Sequence, residues 1–337
     1  MPPIEQGKPT PTGGSPRRIH AQTAPVLRET LSTGTFVVTA ELGPPVEPDT
    51  AIVRGVAQAL APVVHAANIT DNQAATVKMS PLASAIVMLE AGLEPILQLT
   101  GRDRNVMALQ SDLLGAWAMG VRTVLALSGD PLSVGKYGEL ATHVRDVDSL
   151  GLTKLIATMN DGTLLAGETI EAPTDFLIAG AANPLVDSLE RLEGKLDAGV
   201  GLLQTNIVYD VGRFAEWFAP LVAAGVAERA PVLVGVTPPR SFGMLQFMHD
   251  KIPGVEVDDA TFARMKGLDG DAAKAEGVHI AAEIATQLRD IDGVAGVHLM
   301  APGWEAEAVP RIVKTAGLSR PEPAWRTARR SISQAAD

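Results

Sequence analysis

The chain contains no cysteine among its 337 residues. Disulfide bonds, thiolate nucleophiles and cysteine-ligated metal sites are therefore excluded, and this composition is typical of a reducing cytoplasm. Histidine is also scarce, since the six histidines are scattered and form neither an HxxxH nor an HExxH motif. We expect a cytoplasmic location and no bound metal.

Positive charge is in short supply. The chain carries 28 Lys and Arg residues against 39 Asp and Glu residues, a formal net charge of −11, and its basic clusters lie near the two ends. A nucleic-acid-binding protein needs a basic face to neutralise phosphates, so nucleic acid is not an expected partner. No apolar run approaches the roughly 20 residues of a membrane span, and the beginning of the chain lacks an apolar signal core. We therefore expect no membrane contact.

Aromatic residues make up only 4% of the chain, so the 46% of hydrophobic residues must form an aliphatic core. Eight short aliphatic runs recur along the chain, separated by stretches long enough for helices. They are Phe36–Leu42, Ala66–Thr70, Pro95–Thr100, Thr123–Ser128, Asp175–Gly180, Gly201–Val208, Val232–Thr237 and Ala295–Met300. Parallel strands covered on both faces have this near-continuous aliphatic character. The pattern predicts an α/β fold, a single eight-stranded parallel (β/α)8 barrel of the TIM type.

The ends of the chain differ from its body in composition. Residues 1–24 are rich in Pro and Gly and predict a flexible arm, residues 25–318 form the barrel and catalytic domain, and residues 319–337 form a C-terminal tail. Apolar periodicity and capping residues predict helices over Ala24–Leu31, from the cap Asp103 to Gly120, and over Pro184–Ala198, Met244–His249, Asp258–Met265 and Asp271–Asp290. The long connection between Ser128 and Asp175 is expected to lie partly over the site.

Polar residues follow the predicted strands at the end where a parallel barrel places its active site. They are Glu41, Asp71, Gln98, Asp130, Asn183, Gln204 and Thr237. Glu41 lies beside apolar neighbours and before Pro44 and Pro45, which favours a raised pKa and proton donation. A solvated glutamate at a strand exit is the alternative interpretation.

Three further features each allow two interpretations. Asp130, in a Gly-Asp-Pro sequence, suits either a ligand's hydrogen-bond donors or an ordinary turn. Gln204 and Asn206 alternate along one strand and so face the same side, where either a ligand or an internal water would pair with them. Phe242 follows a Pro-Pro pair and either stacks on a ring or holds the next helix in place. No phosphate-binding glycine motif follows any strand.

Taken in order, several motifs resemble the methylenetetrahydrofolate reductase family. They are Ala40-Glu41-Leu42-Gly43-Pro44-Pro45, Ile69-Thr70-Asp71-Asn72, Gln98-Leu99-Thr100, Arg102-Asp103-Arg104-Asn105, Leu127-Ser128-Gly129-Asp130, Lys195-Leu196-Asp197-Ala198-Gly199, Gln204 and Pro239-Arg240-Ser241-Phe242. The resemblance covers roughly residues 30–315. It implies a barrel enzyme in which NADH or NADPH supplies hydride, commonly through FAD, to methylenetetrahydrofolate, giving methyltetrahydrofolate.

The resemblance also implies roles for individual residues. Glu41 matches the acid that opens the methylene bridge, and Asp130 matches the carboxylate beside the flavin and pterin rings. Gln204 and Phe242 match folate-binding residues. The positions implied for cofactor binding are Thr70, Gln98, Thr100, Ser128, Gly129, Asp130, Asp146, Ala181 and Lys195. The implied substrate partner is a tetrahydrofolate, and the aliphatic helix faces leave a homo-oligomer open.

Three positions depart from the pattern of the family's bacterial members. Gln98, Ser128 and Ala181 stand where those members have His, Arg and Tyr beside the flavin. The loss of an arginine removes a fixed cation, so hydride transfer through FAD and direct transfer from the nicotinamide both stay open. Two other functions also stay open: catabolic oxidation of methyltetrahydrofolate in the reverse direction, and a non-catalytic folate-binding partner subunit.

Overall fold

The computed structural model describes residues 26–318, and its eight strands close into one barrel in sequence order, every neighbouring pair parallel. The strands are β1 Val37–Leu42, β2 Ala66–Ile69, β3 Glu94–Thr100, β4 Thr123–Leu127, β5 Leu177–Ala182, β6 Leu202–Ile207, β7 Val232–Val236 and β8 Val294–Leu299. All eight aliphatic runs are strands, and the predicted (β/α)8 barrel is confirmed. The predicted N-terminal arm and C-terminal tail lie outside the described residues.

Helices connect the strands and surround the barrel. They are α1 Val26–Ser32, α2 Thr50–Leu60, α3 Pro81–Glu90, α4 Val106–Ala118, α5 Ser149–Asn160, α6 Leu189–Asp197, α7 Val211–Ala223, α8 Val226–Arg229, α9 Phe242–Lys251, α10 Asp259–Met265, α11 Gly270–Arg289 and α12 Glu305–Thr315. Two short 3-10 turns, Gln73–Ala75 and Leu132–Val134, lie in the β2–α3 and β4–α5 connections. None of the helices within residues 26–318 is long and apolar enough to cross a membrane.

Two predicted helix starts are wrong. Asn105, and not Asp103, caps α4, because its side chain accepts the N–H of Ala108 at 2.9 Å while Asp103 pairs with Arg102. Helix α6 begins at Leu189 behind the cap Ser188, several residues after the predicted start at Pro184. In both cases a second capping residue, nearer to the first apolar residue of the helix, accepts one of the free N–H groups of the first turn.

The apolar interior has two parts. The larger part fills the layer between strands and helices, and the smaller part closes the N-terminal end of the barrel with inward residues of the strands. Leu27 of α1 is fully buried in this smaller cluster, and its N–H donates to Glu94 Oε2 at 3.0 Å. Helix α1 therefore closes the floor of the barrel.

Above this floor the barrel interior is polar. Thr39, Asn68, Gln204 and His298 point inward from β1, β2, β6 and β8, and each is at least 96% buried. Polar side chains are costly inside a barrel unless they are hydrogen-bonded. The interior is therefore apolar towards the N-terminal end of the strands and polar towards the C-terminal end, where the candidate site lies.

Candidate active site

A cavity of about 590 Å³ opens at the C-terminal ends of the strands. Six of the seven polar residues predicted at this rim line it: Glu41, Asp71, Gln98, Asp130, Asn183 and Gln204. Thr237 is buried and lies away from the cavity wall. The long β4–β5 connection contributes one wall through Ser128, Gly129 and Ser149. The cavity has the size and the mixed apolar and polar lining of a small-molecule site.

Glu41 is a buried carboxylate at the cavity wall, and its pKa is strongly raised. Its residue is only 9% exposed, and its two carboxylate oxygens accept from Gln73 Nε2 at 3.3 Å and Gln98 Nε2 at 3.4 Å. Burial raises the pKa of Glu41 from 4.5 to about 7, against the two hydrogen bonds, which lower it. Glu41 is therefore buried rather than solvated, and at neutral pH it can hold and release a proton.

Glu305, at the start of α12, supports Glu41 from outside the cavity. Its carboxylate accepts backbone N–H groups of Gly43, Gly303 and Glu305 itself, so it joins the β8–α12 connection to the segment leaving β1. Burial raises the pKa of Glu305, and its negative charge raises the pKa of Glu41 further. A second carboxylate thus favours the protonated form of the first.

Asp130 holds the neighbouring β2–α3 connection. Its Oδ2 accepts the N–H of Ala74 at 2.8 Å, while the residue stays exposed at the cavity. Asn72, Ala74 and Ala75 have φ angles of 45°, 52° and 49°, a left-handed conformation that costs energy in a residue other than glycine. Such strain is typical of segments held in place for function. Here it brings Gln73 to Glu41.

Gln204 is satisfied by the protein itself. Asn68 Nδ2 donates to Gln204 Oε1 at 2.8 Å, and Gln204 Nε2 donates to Asn68 Oδ1 at 3.2 Å. Asn206 also lines the cavity but donates to the carbonyl of Pro253 at 3.3 Å. A second carboxamide on β2 thus pairs with Gln204 across the barrel, and because Gln204 also lines the cavity its role in ligand binding stays a prediction.

Asp71 organises the rim between β2 and β3. Its Oδ2 accepts the N–H and the hydroxyl of Thr100 at 2.9 and 3.0 Å, and Arg104 Nη1 donates to it at 2.7 Å. The Asp71 side chain is fully buried, whereas that of Arg104 is 18% exposed. Removing Arg104 leaves the buried Asp71 carboxylate without a cation, whereas Arg104 keeps a second partner in Asp112 at 3.0 Å, so Arg104 is the member on which this wall beside Thr100 depends.

The cations at the cavity are already paired. Lys195 Nζ donates to the carbonyl of Ala181 at 2.6 Å and to Asp187 Oδ2 at 3.1 Å, and Arg191 Nε contacts Asp187 Oδ1 at 2.9 Å. A dinucleotide such as FAD carries a pyrophosphate that needs cations or free N–H groups. The amide-lined cavity suits flat heterocyclic rings, and a pyrophosphate at this wall would share Lys195 and Arg191 with Asp187.

Three residues implied by the resemblance lie away from the cavity wall. Thr70 is 1% exposed, and its N–H donates to the carbonyl of Leu42 at 3.2 Å. Asp146 Oδ2 accepts the N–H of Val106 at 3.1 Å and so caps α4. Phe242 begins α9 with its ring 5.8 Å from that of Phe262, so it packs against a helix. Their roles in binding stay predictions.

Sequence reasoning missed three residues of the site: Asn68, His298 and Glu305. Asn68 and His298 stand inside otherwise aliphatic runs, and a polar residue in such a run is the signal that was available. His298 lines the cavity, its Nδ1 lies 2.9 Å from Thr39 Oγ1, and burial lowers its pKa to about 3, so the ring is neutral. Glu305 begins α12, where no pattern indicated it.

A closed (β/α)8 barrel with a proton-holding carboxylate at the C-terminal mouth has the architecture of an enzyme acting on a small molecule. Comparison with protein families is more specific. Residues 26–317 match the family model described as methylenetetrahydrofolate reductase, and the chain belongs to that family.

Two curated relatives carry the family name. Methylenetetrahydrofolate reductase 1 of Schizosaccharomyces pombe is 24% identical over 254 residues, 72% of this chain and 38% of the relative. Methylenetetrahydrofolate reductase (NADH) 1 of Arabidopsis thaliana is 26% identical over 237 residues, 64% of this chain and 37% of the relative. The chain thus matches somewhat over a third of the length of these relatives.

A solved structure shares the fold. It is an uncharacterized protein from Clostridium thermocellum that binds two copies of 5-methyl-5,6,7,8-tetrahydrofolic acid. The TM-score is 0.63 at 13% sequence identity, and the match covers 86% of this chain and 97% of that one. At this identity the similarity establishes the barrel architecture.

Proposed function

We propose that this protein is a methylenetetrahydrofolate reductase that transfers hydride from NADH or NADPH to methylenetetrahydrofolate and releases methyltetrahydrofolate. Family membership supports the reaction class, and the methyltetrahydrofolate bound to the Clostridium barrel supports the ligand class. The observation that carries the proposal is Glu41, a buried carboxyl group with a pKa of about 7 at the cavity wall.

Glu41 acts as the proton donor. The substrate carries a methylene group bridging two nitrogens, and one carbon–nitrogen bond breaks as the departing nitrogen takes the proton from Glu41. The resulting iminium carbon accepts the hydride, which completes the methyl group, and Glu41 is left as a carboxylate. A donor with a pKa near the working pH is efficient at both giving the proton and regaining it.

The remaining wall orients the reacting rings. Asp130 presents an exposed carboxylate that can accept N–H groups of a pterin. The Asn68–Gln204 pair forms a flat amide surface deeper in the barrel, held by two hydrogen bonds. Fixed orientation of two flat rings accounts for much of the rate enhancement in a reaction of this kind.

A bound FAD stays a separate proposal. The family resemblance supports it, while the pairing of Lys195 and Arg191 with Asp187 argues against a ready pyrophosphate site. If FAD binds, it supplies a hydride relay between nicotinamide and folate at the same mouth. An absorbance spectrum of the purified protein, before and after addition of FAD and removal of the unbound fraction, decides between the relay and direct transfer.

The direction of the reaction is the second candidate function. The same cavity serves oxidation of methyltetrahydrofolate, with ionised Glu41 then accepting the proton. We infer reduction as the working direction because the matching family model and both curated relatives are named as reductases. Initial rates in both directions at the same pH, with NADH and with NADPH, test this choice.

The deciding experiment mixes the purified protein with methylenetetrahydrofolate and NADH or NADPH and follows the loss of reduced-nicotinamide absorbance. The proposal expects turnover, with methyltetrahydrofolate formed in equal amount. Tight binding of methyltetrahydrofolate without any hydride transfer, with FAD supplied, would instead identify a non-catalytic folate-binding subunit. Absence of both binding and turnover would refute a folate function.

A further inference from the structure

His298 is a buried histidine whose place in the barrel is set by two neighbouring strands. It pairs with Thr39 in the register between β8 and β1, and Glu41 follows Thr39 by two residues, on the same side of β1. Two residues along a strand span about 7 Å. His298 therefore lines the same cavity as Glu41, about one side-chain layer deeper.

Thr39 fixes the orientation of the imidazole and the position of its hydrogen. The Thr39 hydroxyl donates to the carbonyl of Val297 at 3.5 Å, and Thr39 Oγ1 lies 2.9 Å from His298 Nδ1. In the tautomer that serves both contacts, the hydroxyl donates its hydrogen to the carbonyl and its oxygen accepts from Nδ1–H. The hydrogen of the neutral imidazole then resides on Nδ1, and Nε2, on the opposite edge of the ring, is an acceptor.

The other polar groups at this depth are engaged with each other. The carboxamides of Asn68 and Gln204 form two mutual hydrogen bonds, and Thr39 is used by His298 and Val297. A ligand ring that enters below Glu41 therefore meets His298 Nε2 as the acceptor on the β8 side of the wall. A reduced pterin offers several ring N–H donors to such an acceptor.

We propose that Nε2 of His298 accepts a hydrogen bond from a ring N–H of the bound reduced pterin and so positions that ring beneath Glu41. This inference rests on the proposed folate function. His298 is a positioning residue in this scheme, because it orients the ring on which Glu41 acts. Thr39 in turn positions His298 by keeping the hydrogen on Nδ1.

The test uses the full chain labelled with ¹⁵N at histidine and two-bond ¹H–¹⁵N spectra, which show which ring nitrogen carries the hydrogen. The His298 signals are assigned by their loss in His298→Gln. We expect Nδ1–H in the free protein and a displacement of the Nε2 resonance when methyltetrahydrofolate saturates the site. His65 is an internal control, because it is equally buried but lies outside the cavity lining, with Nδ1 at the N–H of Val38.

Each outcome has a distinct meaning. An unmoved Nε2 resonance in protein saturated with methyltetrahydrofolate overturns the inference and leaves the proposed function standing. A displacement by NADH alone, with none by the folate, also overturns it, because the ring at His298 would then be the nicotinamide. Failure to bind either folate or nicotinamide overturns the proposed function and the inference together.

Matched variants give an independent readout. His298→Phe keeps a flat ring and removes the acceptor, so we expect methyltetrahydrofolate to bind roughly five- to tenfold more weakly, the loss of one hydrogen bond. His298→Gln keeps an acceptor oxygen and should recover part of that affinity. Equal losses in the two variants would show that His298 acts through packing alone and would overturn the inference.

Discussion

The replacement of Glu41 by Gln should separate stability from catalysis. One pKa unit corresponds to 1.36 kcal/mol, so a pKa raised from 4.5 to about 7 costs the folded protein about 3 kcal/mol once the carboxylate is ionised. The sign follows from protonation. Below pH 4.5 both folded and unfolded chains are protonated and the cost is absent, and it grows to its full size as the pH rises through 7.

Gln cannot ionise, so Glu41→Gln should remove this pH dependence. A carboxamide has one acceptor oxygen where the carboxylate has two, so one of the hydrogen bonds from Gln73 and Gln98 is lost, at a cost of about 1 kcal/mol. We therefore expect the variant to be more stable than the wild type by about 2 kcal/mol well above neutral pH and no more stable in mild acid. Its turnover should fall by roughly 10²–10⁴-fold, the usual contribution of a general acid.

The assay combines urea unfolding at several pH values with the rate of nicotinamide oxidation. Glu47→Gln, which removes an exposed carboxylate from the segment that follows β1, is the matched control and should retain wild-type turnover. A Glu41→Gln protein that retains full turnover would refute the proton-donor role. Identical pH dependence of stability in the variant and the wild type would refute the burial argument itself.

Three further predictions concern the surroundings of the site. Glu305→Gln removes a negative neighbour and should lower the pKa of Glu41, so the fall of kcat/KM with rising pH should begin at lower pH than in the wild type; an unchanged profile would contradict this. Arg104→Met leaves the buried Asp71 carboxylate unpaired and should reduce the free energy of unfolding in urea by about 3–5 kcal/mol, whereas an exposed ion pair would lose under about 1 kcal/mol. Gly277→Ala places a Cβ against a carbonyl oxygen of the β7–α9 connection and should cost about 1–3 kcal/mol in thermal unfolding; wild-type stability would show that α11 shifts freely.

The barrel could be predicted because its strands are buried on both faces. Runs such as Val232–Val236 contain no polar residue and are buried at every position, which distinguishes them from the amphipathic helices between them. Parallel strands then place their carboxyl ends on one rim, so a glutamate directly after an aliphatic run was a sound candidate for the site. Glu41 was found in this way.

Partners across the barrel could not be predicted, because they depend on register between strands distant in sequence. Asn68 and Gln204 are 136 residues apart and meet only when the barrel closes. Glu305 reaches Gly43 through backbone hydrogen bonds, which leave no residue pattern. The predicted cap of α4 was wrong for a local reason. Asp103 and Asn105 are both good capping residues, but Asp103 forms an ion pair with Arg102, so Asn105 caps the helix.

The closed floor formed by Leu27 and the apolar cluster around it sets an order of events. Among the described residues, this apolar cluster lies between Glu41 and the N-terminal end of the barrel, so under the proposed function we expect the proton lost in each turnover to return through the mouth that would hold the folate. Recharging of the acid then waits for product departure. In the described part of the chain, a mouth at one end of the barrel would thus impose an order on the proposed cycle: the ligand enters, the proton leaves Glu41, the product departs, and the proton returns.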